Sequence, residues 1–178
     1  MNATAIINRL ERMTKLLPSL VSGLPLEDAR WKPPSDAWSI VEIVNHLVDE
    51  ETLDFRVRVR LTLESPMADW ARTDPEGWAV EKRYNEQDLE GSVLRFVQER
   101  AESVRWLRSL GGELGPESAA WTRAHPHPRM GPLAAGMLLA SWQAHDALHI
   151  RQIAKRLFEL ASRDAPEYST RYAGEWGV

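Results

Sequence analysis

Residues 138–157, LLASWQAHDALHIRQIAKRL, decide how this chain folds. Leu138, Trp142, His145, Leu148, His149, Gln152, Ile153 and Leu157 recur at spacings that put them on adjoining positions of one helical stripe. The pattern predicts a long last helix, from Pro132 to Ser162, carrying two imidazoles on its inner side. Three earlier segments share the helical period. Leu89, Val93, Phe96, Val97, Arg100, Val104 and Leu107 mark a helix that stops at Gly111 and Gly112. Ser39 and Glu42 stand at capping-box spacing ahead of an apolar run, so a helix begins there with an inner stripe through Ile43, His46, Leu47, Glu50, Leu53 and Val57. Ile6, Leu10, Met13, Leu17 and Leu20 mark a first helix from Asn2 to Val21, ending near Gly23 and Pro25.

The intervening stretches break the period. Trp31 to Trp38 contains Pro33 and Pro34 and reads as a rigid connection. Leu63 to Gln87, with Pro66, Pro75 and Gly77, reads as a long crossover with short helical turns, and Glu113 to Gly131 is irregular. No strand-like alternation competes. The expectation is an all-α fold: a four-helix bundle with long crossover loops over residues 1–165, followed by a loosely packed tail over 166–178.

The chain has 178 residues, a length that suits one domain with a proper core. Its 22 basic and 26 acidic residues give a net charge of −4, and the basic residues are interspersed with acids, which argues against nucleic acid or acidic lipid as a partner. No cysteine is present, so disulfides, thiolate ligands and a protein thiol nucleophile are all excluded. Any thiol must arrive with a substrate. The N-terminal residues do not form a signal peptide, and Pro132 to Trp142 is far shorter than the roughly 20 apolar residues a membrane helix needs. A soluble, cytoplasmic protein is expected. Several of the eight tryptophans fall in turns or near helix ends, where a large ring can line a pocket.

His145 and His149 lie one helical turn apart and face the same way, a spacing that lets both rings bind one ion. Two imidazoles leave coordination incomplete, and His46 is the leading third ligand because it too falls on an inner stripe. Such pairs also arise by chance on helices. The three together are more telling, since unpaired imidazoles facing one interior are costly. An ion held by three neutral imidazoles keeps an open position and so marks a chemical site rather than a staple. Glu50, one turn after His46, is a candidate fourth ligand, general base or outer hydrogen-bond acceptor; the bland alternative is a half-buried helix acid paired with an arginine. Asp49 and Asp146 are expected on helix flanks. Gln152 is placed to orient a ring or a substrate, or to reach a neighbouring helix, and His125 and His127 are expected at the surface or a pocket rim.

These residues also carry a recognisable pattern. Trp31-Lys32-Pro33-Pro34, then Trp38-Ser39-Ile40-Val41-Glu42-Ile43-Val44-Asn45-His46-Leu47 with Asp49-Glu50-Glu51, resembles the first metal-ligand region of the DinB/YfiT-like superfamily. Gly131-Pro132-Leu133 leading into Trp142 to Ile153 resembles its closing His-x-x-x-His helix, and the similarity runs to about Leu160. The resemblance implies a four-helix bundle, a nickel, zinc or iron ion on His46, His145 and His149, and a homodimer. Characterised relatives include S-transferases that use bacillithiol, mycothiol or similar small thiols, and a mycothiol-dependent isomerase. The sulfoxide synthases of ergothioneine biosynthesis carry a related domain but need a further catalytic domain. The leading expectation is therefore a metal-dependent transferase that joins a low-molecular-weight thiol to a small electrophile, with Glu50 or water accepting the thiol proton. A metal-dependent hydrolase and a noncatalytic metal-binding protein of the stress response are the alternatives.

Overall fold

The computed structural model describes residues 1–176, so Gly177 and Val178 of the expected tail lie outside the described residues. Four long helical segments form the bundle. Helix α1 (Ala3–Val21) opens with the Asn2 side chain accepting from the Ala5 amide at 2.9 Å. A short α2 (Leu26–Arg30) and the Pro33-Pro34 connection lead to α3 (Ile40–Asp49). There Ser39 and Glu42 form the capping box in both directions, at 3.2 and 2.8 Å. A π-helical turn (Glu50–Phe55) joins α3 to α4 (Arg56–Glu64), which together make the second long segment. The crossover contains α5 (Pro75–Glu81), and α6 (Leu89–Ser109) and α7 (Ala135–Asp164) complete the bundle. No described helix is long and apolar enough to cross a membrane.

The stretch from Glu113 to Gly131, expected to be irregular, contains the first strand of a small ribbon. Strand β1 (Ala124–His125) pairs antiparallel with β2 (Leu133–Ala134), Ala124 lying opposite Ala134. Gly131 makes the return possible: its φ of 73° suits a residue without Cβ, and its backbone exchanges hydrogen bonds with His127. In the tail, Trp176 packs its ring on Phe158 of α7.

Two of the expected stripes shift. Leu53 is 40% exposed and Leu148 is 58% exposed, although both were expected on inner faces. Leu53 falls within the π turn, whose extra residue rotates everything after it, so that Val59 and Leu63 point inward in α4. Thr52 supports the irregular turn by returning its hydroxyl to the Val48 carbonyl at 3.1 Å. On α7 the buried line is Leu139, Trp142, Asp146, His149, Ile153, Arg156 and Leu160, at alternating steps of three and four. Leu148 stands on the flank of that line.

The core is two apolar clusters with a polar layer between them. Ile7, Leu10, Val59, Leu63, Val104, Leu139 and Trp142 pack at one end, and Leu17, Ile43, Leu47, Phe96 and Ile153 at the other. In the layer, the guanidinium of Arg100 (1% exposed) grips Asp146 with two bonds of 2.6 and 2.9 Å, donates to Glu51 at 2.8 Å, and donates to the Leu10 carbonyl at 3.2 Å. Trp142 Nε1 adds a bond to Glu51 at 3.0 Å. Burial alone would push the guanidinium toward its neutral form; Glu51 and Asp146 more than offset that and hold the charge. The expectation that Asp146 faces a flank is thus overturned, because a buried arginine opposite draws it inward. Arg100→Leu leaves two carboxylates buried without their cation and should cost about 3–5 kcal/mol in denaturant unfolding. Adding Glu51→Leu and Asp146→Leu should recover most of that loss, and no recovery would mean the layer is not held by charge pairing.

Candidate metal centre

His46 comes from the buried face of α3, and His145 and His149 from successive turns of α7. All three Nε2 atoms turn toward one point. His145 Nε2 is 3.2 Å from His46 Nε2 and 3.0 Å from His149 Nε2. Two nitrogens about 2.0–2.1 Å from one ion, at about 90–110° to each other, stand about 2.9–3.4 Å apart, so the spacing fits a shared divalent ion. Among the described residues, this is the cluster of His, Asp and Glu placed to hold a metal. Burial, with repulsion among the rings themselves, pushes His46 down to about 2 and His145 to about 3, and burial also lowers His149. The rings are therefore neutral at ordinary pH, the form a metal requires.

The surroundings fix the ring orientations. Gln152 Oε1 lies 2.8 Å from His149 Nδ1, so that nitrogen donates and Nε2 keeps its lone pair for the centre. Trp38 packs on the His46 ring at 4.8 Å, and Phe55 on His145 at 5.1 Å. Glu50 stands behind His46, its Oε1 4.0 Å from Nδ1, and both of these buried atoms lack a hydrogen-bond partner among the described residues. Its carboxyl is pushed up to about 8, first by burial and then by Asp54. It therefore faces the outer edge of a ligand ring, not the point where the three nitrogens meet.

The remaining candidates lie elsewhere. Asp49 is half-buried and accepts from Lys82 at 2.7 Å and from the Tyr84 hydroxyl. His125 stacks on Trp70 with centroids 4.0 Å apart, and His127 Nδ1 accepts from the Met130 amide at 3.1 Å. Sequence reasoning passed over Asp54, which is buried beside Glu50 and pairs with Arg58 at 3.1 Å. It also passed over the inward role of Glu51. The available signal was the run Asp49-Glu50-Glu51 and Asp54 within an otherwise inner helix face.

In metal-free protein these shifts give opposite slopes to stability against pH. The histidines take up protons more readily when unfolded, so their contribution to stability falls as pH drops below about 6.5. Glu50 holds its proton better when folded, so its contribution falls as pH rises from its unfolded value toward about 8. Urea unfolding of chelator-treated protein should therefore show a decline from pH 6.5 to 8, of at most about 1.4 kcal/mol per unit, that Glu50→Gln flattens. An unchanged slope in that variant would contradict the placement of Glu50.

Comparison with known proteins bears on the family and the fold. No curated protein matches the chain. A solved structure does: a Bacillus subtilis protein described as "YfiT from Bacillus subtilis is a probable metal-dependent hydrolase with an unusual four-helix bundle topology". The likeness has a TM-score of 0.77 at 19% identity and covers 89% of this chain and 87% of that one, which establishes a shared fold. The sequence model of the DinB superfamily matches residues 9–153, and the chain belongs to that superfamily.

Proposed function

We propose that this protein is a metal-dependent transferase in which His46, His145 and His149 hold one divalent ion and a small thiol is joined to an electrophile. The convergence of three neutral Nε2 atoms at 3.0 and 3.2 Å carries the reading. A divalent ion bound there supplies Lewis acidity, lowering the proton affinity of a thiol or water that fills its open position. The residues around it set the reaction conditions. Gln152 holds His149 in the Nδ1–H tautomer, and Glu50 backs the His46 ring from the side away from the centre, 4.0 Å from its Nδ1 and beyond hydrogen-bond reach. Glu50 is thus a positioning residue. Since the chain has no cysteine, the thiol comes from the cosubstrate. In the overall change the sulfur forms a bond to the electrophilic carbon, that carbon releases its leaving group, and the thiol proton passes to solvent.

Metal-assisted hydrolysis is the second reading, and the printed description of the structurally similar Bacillus subtilis protein favours it. The two differ in what they consume. Zinc-, nickel- and iron-loaded protein is incubated with an alkyl or aryl halide plus a panel of cellular thiols, and separately with activated esters and amides without thiol. Thiol-dependent turnover that falls at least about 100-fold in His145→Ala, together with loss of metal, is expected. Ester or amide cleavage without thiol would establish hydrolysis, and metal binding without turnover in either arm would overturn both.

A further inference from the structure

A groove of about 620 Å³ runs along α7, a size typical of small-molecule sites. Trp38 and Gln152, which touch the His46 and His149 rings, line the wall nearest the centre. Arg156, one turn beyond Gln152, lines it farther out. This arginine is only 5% exposed, yet its Nε and Nη1 lack hydrogen-bond partners among the described residues. Glu159 Oε2 forms an ion pair with Nη1 at 2.8 Å, outside hydrogen-bond geometry, so the charge has a partner while the two donors stay unmet. Lys155 is exposed on the same wall. The acids of the groove, Asp36 and Glu76, sit at its exposed rim, and Asp36 is already paired with Lys32 at 3.0 Å.

A buried guanidinium with unmet donors is costly unless an anion completes it, and its planar fork matches a carboxylate or a phosphate. We infer that Arg156 receives an anionic group of the substrate or cosubstrate, while the reacting atom of the same molecule lies at the histidine end of the groove. The identity of that far end rests on the metal-centre reading; the anion subsite does not. A step of seven residues from His149 to Arg156 is about 10 Å along the helix, so a molecule that reaches both holds its acid roughly that far from its reacting atom. Mercaptoacetate is too short.

Two matched probe pairs test this by calorimetry and by fluorescence of Trp38 and Trp176, which both line the groove. Glutathione against its diethyl ester reports on carboxylate, and 4′-phosphopantetheine against pantetheine reports on phosphate. In zinc-loaded protein the acidic member of at least one pair should bind about tenfold or more tightly than its partner, the worth of a charge-assisted hydrogen bond. Arg156→Gln should bring the two within about twofold, Arg156→Lys should restore part of the preference, and the exposed substitution Lys155→Gln should reduce it less. In chelator-treated protein the preference for the acid should persist while binding of every thiol weakens. Equal affinities within both pairs, a preference that survives Arg156→Gln, or no binding of any probe overturns the inference. Failure to retain zinc with the acid preference intact would instead count against the metal centre and support the anion subsite.

Discussion

The bundle is organised around the burial of one cation between two carboxylates. Arg100 reaches from α6 across the middle of the core to Glu51 and Asp146, and its remaining reach ends on the Leu10 carbonyl of α1. All four long segments are therefore tied at one level. A layer of this kind is poor at generating stability, since desolvating three charges offsets most of their attraction. It is effective at setting register, because sliding any helix by one turn would strand a charge in hydrocarbon. The register so fixed is the one that brings His46 of α3 opposite His145 and His149 of α7, with His145 adjacent in sequence to the anchored Asp146.

The π turn is the second consequence of that layer. In a regular helix Glu50 and Glu51 point about 100° apart, and only one could face the core. The wider turn from Glu50 to Phe55 lets Glu50 approach His46, Glu51 approach Arg100, and Asp54 approach Arg58, all buried. Single π turns recur where a side chain must be re-aimed at a functional site. Here the re-aiming gives the three acids separate tasks: Glu51 holds the layer together, Glu50 backs a histidine, and Asp54 pairs with Arg58.

The fold was legible in sequence because helical periodicity and capping survive without knowledge of neighbours. Ser39 and Glu42 announced the start of α3, and Gly111 and Gly112 the end of α6. The three histidines were legible for the same reason, since their spacing can be read on isolated helices. What escaped was whatever depends on a partner across the core. A template that counts only apolar residues treats Asp146 as a flank position and Leu148 as an inner one, and the structure reverses both because Arg100 stands opposite. The exposure of Leu53 escaped likewise, since nothing in a heptad count anticipates the residue that the π turn inserts.

The buried line of α7 carries this division to its end. From Leu139 to Leu160 it alternates apolar residues with Asp146, His149 and Arg156. The first is answered by Arg100, and the second by Gln152 at Nδ1, its Nε2 facing the other two histidines with its lone pair free. The third, among the described residues, has an ion pair with Glu159 but no hydrogen bond at Nε or Nη1. Polar positions on a core stripe lower stability unless something completes them, and of the three only Asp146 is fully answered by protein groups among the described residues. Arg156 is also the one of the three that lines an open groove. Along α7 the buried line thus passes from core, to one wall of the candidate metal centre, to one wall of the groove, and its polar residues pass from full satisfaction inside the protein to donors left open.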